Sequence, residues 1–109
     1  QFAKTFPKII REIRAVNPDV KIYADNIYNP AKGIDAFSQV YSVADAYINR
    51  MNRGFYPSDE YVLVDIKKCF DGEKESMVNL SFKGREIDPH PSEKGHKKIA
   101  QMVIKAMER

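Results

Sequence analysis

At 109 residues the chain is long enough for one domain with a modest core and too short for two. Its 43% hydrophobic and 30% charged content is that of an ordinary globular protein. The net charge of +3 is spread along the chain, without the basic stripe and interleaved aromatics of a nucleic-acid binder, and no apolar run approaches the ~20 residues needed to cross a bilayer.

In chain order, residues 2–16 read as a helix, with Phe6, Ile9, Ile10 and Ile13 at helical spacing. Pro7 belongs near a first turn, which points to Thr5 as the N-cap and leaves residues 2–4 either irregular or the tail of a preceding element. Asn17-Pro18-Asp19 stops that helix, and Val20 to Ala24 reads as a short buried strand. The loop Asn26 to Gly33 then lies where a parallel strand would deliver functional residues, so Asn26, Tyr28 and Asn29 are either turn formers or lining of a cleft.

Residues 34–53 carry a second helical pattern, with Phe37, Val40, Tyr41, Ala44, Tyr47, Ile48 and Met51 on one stripe, ended by Gly54 and Pro57. Tyr61 to Ile66 is an almost continuous apolar run, which suits a strand covered on both faces. Asp71 to Glu75 reads as a solvated turn, and Met77 to Phe82 as a short edge strand. Ser92 is placed to cap a last helix from about Glu93, whose apolar face is Ile99, Met102, Val103, Ala106 and Met107. Alternating helices and strands argue for a layered α/β fold with a parallel sheet. Two strands make such a sheet very small, so the pattern resembles the second half of a larger domain.

The chemistry concentrates in Asp88-Pro89-His90-Pro91-Ser92-Glu93-Lys94-Gly95-His96, where two prolines stiffen a loop carrying a carboxylate and an imidazole. A carboxylate beside an imidazole fixes the ring's tautomer and stabilises imidazolium, as a hydrolase requires. The block Asp88-Pro-His90-Pro-Ser-x-x-Gly95-His96-x-x-Ile99-Ala100 resembles the last catalytic block of the SGNH/GDSL serine hydrolases, esterases and lipase-like acylhydrolases. Ile10 to Pro30, with Asn17-Pro18 and Tyr28-Asn29-Pro30, is similar to the helix, strand and loop preceding that block in bacterial members. Asp88 stands two residues before His90, where the family commonly has three.

The resemblance implies a three-layer α/β/α sandwich of flavodoxin-like type, with residues 1–109 as the C-terminal part of a single domain. His90 would be general base and then general acid, Asp88 its orienting partner, with Glu86 as a fallback. The nucleophile is missing. Ser38, Ser42, Ser58, Ser76, Ser81 and Ser92 each lack a Gly-Asp-Ser or Gly-x-Ser-x-Gly setting, so the serine and most of the oxyanion hole are expected from an N-terminal half outside this chain.

Such chemistry needs no metal or organic cofactor. The six-position spacing of His90 and His96 is not that of a helical zinc motif, and His96 reads as a packing or hydrogen-bonding residue. Cys69 has no internal disulfide partner and reads as a buried structural thiol. Asn79-Leu80-Ser81 matches the short glycosylation sequon. The implied substrate is an ester-containing small molecule, a lipid or an acylated carbohydrate, in a secreted or envelope setting if the bacterial resemblance holds. Two other readings stay open: a non-catalytic α/β binding module, and a split-enzyme subunit that pairs with its other half or self-associates through an open sheet edge.

Overall fold

The computed structural model describes residues 1–34, 37–79 and 88–108. The elements are α1 (Phe2–Val16), β1 (Tyr23–Asp25), α2 (Ser38–Asn52), β2 (Val62–Val64), α3 (Ile66–Asp71) and α4 (Glu93–Met107). The two strands pair in parallel, Tyr23 opposite Val62 and Asp25 opposite Val64, joined by a crossover that contains α2. The architecture is therefore mixed α/β, and no helix among the described residues is long and apolar enough to cross a membrane.

Side-chain alternation along β1 separates two cores. Ile22 and Ala24 join a cluster of Phe6, Ile10 and Tyr61, with Phe2, Phe55 and Tyr56 around it. Tyr23 joins the other, built from Val64, Ile66, Phe70 and Met77 and covered by Ile99, Met102, Val103 and Ala106 of α4. The first cluster is aromatic, with Phe6 packed edge-on against Tyr61 and Phe55 at centroid distances of 5.0 Å. A Cβ at Gly54, two residues past the end of α2, would lie 2.3 Å from the Phe2 ring, so a larger residue there would have to displace that ring.

That aromatic packing also corrects the expected start of α1. Its N-cap is Gln1, Pro7 lies inside the helix, and Thr5 is helical, its hydroxyl donating to the Gln1 carbonyl at 2.9 Å. Phe2 and Phe6, one turn apart, both meet Phe55 at 5.0 Å, and this tertiary packing outweighs the backbone bond that Pro7 cannot donate.

Both strands are shorter than the sequence suggests. Arg14 takes the carbonyls of Pro18 and Val20 at 3.0 and 2.8 Å and also that of Glu60, bracing the approach to both strands, and the inter-strand bonds begin only where Ile22 accepts the Val62 N–H at 2.8 Å. β2 stops at Val64 because the Asp65 carboxylate accepts the Lys68 N–H at 3.0 Å and caps α3. This short helix, which the sequence reading missed, buries Ile66 and Phe70. Val62 and Leu63 stay exposed, so β2 is not covered on both faces.

α4 matches its expected frame. The Ser92 hydroxyl accepts the Gly95 N–H at 3.1 Å, and Ile99, Met102, Val103 and Ala106 pack inward, while Met107 at the end of the stripe is exposed. A Cβ at Gly95 would sit 2.1 Å from the Met77 carbonyl, so glycine lets the helix start lie directly on residue 77. The edge strand expected from Met77 to Phe82 is only partly described: Val78 forms an isolated antiparallel bridge with Pro91, and residues 80–87 lie outside the described set.

Candidate active site

The Asp88–His90 loop is assembled from inside and from outside. Within it, one oxygen of the Asp88 carboxylate accepts both the His90 backbone N–H at 3.0 Å and the His90 ring at Nδ1, 2.6 Å away. This is an Asx-type turn, in which a short side chain reaches a backbone N–H two residues on. It explains how a two-residue spacing still sets a carboxylate against the imidazole: the turn curls the chain back, and the ring folds onto the same oxygen. Turn formation and ring orientation are therefore one arrangement.

Electrostatics follow from it. Donation from the His90 N–H, then from its ring, holds the Asp88 carboxyl below the usual carboxylate range, with help from the Asn79 side chain. With Nδ1 engaged and the His90 side chain 81% exposed, Nε2 is open to a partner. Asp88 is itself 44% exposed, so the pair sits at the surface.

From outside, the Tyr28 hydroxyl, just beyond β1, donates to the Pro89 carbonyl at 2.7 Å. The Tyr28 ring packs on Phe70 at 5.0 Å, tying the loop to the core at the C-terminal side of the sheet, where open α/β folds carry their sites. Burial, and then the charge of Asp88, push the Tyr28 phenol upward. Of the three residues after β1 considered as cleft lining or turn formers, Tyr28 is the one joined to the candidate pair.

The other two are held elsewhere. Asn26 donates to Asp65 at 2.7 Å and accepts the Lys67 N–H at 2.9 Å, stitching the ends of β1 and β2. Asn29, 2% exposed, donates to the Tyr41 carbonyl at 3.1 Å and to Asp45 at 3.3 Å while accepting the Ala31 N–H. Asp45 in turn meets Lys67 at 2.9 Å, and Lys67 meets Asp71 at 2.6 Å. Sequence reasoning missed this ion network, because its members come from three separate segments and only the Lys67–Asp71 pair has helical spacing.

The remaining candidates fall apart. Ser92 caps α4, Ser58 and Ser76 accept the N–H of Glu60 and Val78, and Ser38 and Ser42 are exposed on α2. None of these hydroxyls bonds to His90, and Ser81 and Glu86 lie outside the described residues. Cys69 is half-buried against the core, and burial pushes its thiol upward, away from nucleophilic use. His96 is exposed, so the packing role expected of it is not seen. Among the described residues no group of three His, Cys, Asp or Glu side chains could hold a metal ion. Comparison of the chain with protein-family models, curated proteins and solved structures finds no match.

Proposed function

We propose that this chain carries the acid–base half of a serine ester hydrolase, with His90 as general base and Asp88 as its orienting carboxylate. The carrying observation is the 2.6 Å contact between Asp88 and Nδ1 of a ring whose other edge is exposed. In this reading Nε2 takes the proton from a serine hydroxyl as its oxygen attacks the ester carbonyl. Asp88 stabilises the imidazolium, and Nε2 then returns the proton to the departing alcohol. Water repeats the cycle on the acyl-enzyme.

The serine and oxyanion hole would come from outside the 109 residues, in the N-terminal half of a three-layer α/β/α domain of the SGNH type. Helices α1 and α4, which pack into separate clusters reached by alternate β1 residues, support that layering. The substrate class is an ester of a small molecule, lipid or acylated carbohydrate.

The test is active-site labelling of the protein isolated from its source with a fluorophosphonate, followed by peptide mapping. Labelling of a serine outside this chain is expected, with ester turnover falling roughly a thousandfold or more in His90→Ala. The chain alone should give no turnover. A burst of activated-ester hydrolysis by these 109 residues, abolished in His90→Ala, would overturn the division of the triad. No labelled serine and no ester turnover in the source protein would leave a non-catalytic binding module as the better reading.

A further inference from the structure

Residues 89–91 present three consecutive carbonyls, and two of the three residues are prolines without an N–H. Each carbonyl is nevertheless met by a donor from another part of the chain. The Tyr28 hydroxyl bonds Pro89 at 2.7 Å, the Asn79 backbone N–H bonds His90 at 2.9 Å, and the Asn79 side-chain amide bonds Pro91 at 3.1 Å. One step further, the Ser92 N–H returns to the Met77 carbonyl at 2.8 Å. A loop unable to satisfy itself is thus gripped at the histidine and just after it by one asparagine and anchored just before it by one tyrosine.

Resting on the proposed role of the pair, we infer that Asn79 and Tyr28 are positioning residues that hold His90 in the Nδ1–H tautomer by fixing its backbone against Asp88. The 2.6 Å ring contact requires Asp88 Oδ1 to reach the backbone N–H and Nδ1 of the same residue together. That double reach tolerates little rotation of the intervening Pro89 peptide, whose carbonyl Tyr28 holds. Loss of the Asn79 side-chain amide frees the Pro91 carbonyl while the backbone N–H still holds that of His90; residue 91 could then turn and draw the ring from the carboxylate toward water. Asn79 also contributes to holding Asp88 ionised, so its effect reaches the carboxylate as well as the backbone.

Long-range ¹⁵N NMR of the His90 ring at alkaline pH reads the tautomer directly and needs neither serine nor substrate. The chain itself should show the Nδ1–H form in excess. Asn79→Ala and Tyr28→Phe should each lower the ratio of Nδ1–H to Nε2–H roughly threefold or more, because the hydrogen bond to one nitrogen sets which carries the proton. Amide shifts of α1 should stay in place in both. Tyr28→Phe removes one oxygen and keeps the ring on Phe70, so it decides alone if Asn79→Ala does not fold. Ratios unchanged in folded variants would overturn the inference. A shifted tautomer alongside turnover indifferent to His90 would keep the positioning and remove the hydrolase assignment, so the two failures are distinguishable.

Discussion

Helices α2 and α4 have the same length, 15 residues, and both carry an apolar stripe in the sequence, yet they attach to the molecule in opposite ways. α4 lays Ile99, Met102, Val103 and Ala106 on the core around Phe70 and Met77. α2 buries only Ile48, while Val43 and Tyr47 remain 61% and 66% exposed. What fastens α2 is polar. Asp45 binds Lys67, Asn29 donates to Asp45 and to the Tyr41 carbonyl, Tyr41 donates to Asp71, and Asn52 grips the Ile27 backbone from both sides. An apolar stripe records the capacity to be buried. Whether a partner surface exists is a property of the rest of the assembly.

The sharpest way to break this contrast is Lys67→Met. Lys67 is 12% exposed at its side chain and faces Asp45 and Asp71, so its loss leaves two carboxylates without their cation. Removing one partner of a fully buried pair costs about 3–5 kcal/mol. Because the two carboxylates keep about a quarter of their exposure, we expect roughly 2 kcal/mol here. Hydrogen exchange should locate the damage: α2 amides lose protection while those of α4 change little. Equal loss in both helices would mean that α2 is not a separately held element.

A smaller effect follows from pH. Burial raises the Asp45 carboxyl, but hydrogen bonds from Lys67, Asn29 and Asn49, with the Lys67 charge, outweigh it and hold the group below its ordinary value. A carboxylate depressed in the folded state contributes stability above its unfolded pKa of ~3.9, which is lost as pH falls through the lower folded value. Lys67 has the opposite sign. Burial lowers it, Asp71 and Asp45 more than compensate, and the raised folded value makes its contribution complete below the unfolded pKa and lost at strongly alkaline pH. Urea midpoints should therefore fall on acidification below about pH 4 more steeply in the wild type than in Lys67→Met. Parallel acid limbs would place the titration elsewhere.

The same contrast explains what was legible in the sequence. α4 could be read because its signals are local: Ser92 before an amphipathic repeat, with a prolyl loop ahead of it. The Asp88–His90 contact was legible as a motif, and its short spacing became intelligible once one carboxylate oxygen was seen serving backbone and ring together. The strand lengths were not legible. They depend on where the inter-strand bonds begin, at the Ile22 carbonyl and the Val62 N–H, and on Asp65 turning from strand residue to helix cap. Asn79 stood out only as a sequon residue. Nothing in its neighbours shows that the proline loop eleven residues on lacks donors of its own.

The smallest expected effect tests the apolar side chains that α2 leaves exposed, Val43 beside the stripe among them. Val43 lies in the interior of α2, and its exposure leaves little apolar area to lose on truncation. Alanine is the better helix former, because a β-branched side chain loses rotamer freedom against the preceding turn, a difference of about 0.5 kcal/mol. Val43→Ala should therefore be neutral or slightly stabilising in urea unfolding of this chain. The same substitution in the protein from its source asks whether another surface covers α2 there. If one does, the helix-propensity gain is overtaken by lost burial, and stability falls by about 1 kcal/mol or more. Neutrality in both would leave α2 a helix attached by its polar contacts and Ile48, with the rest of its apolar side turned to water.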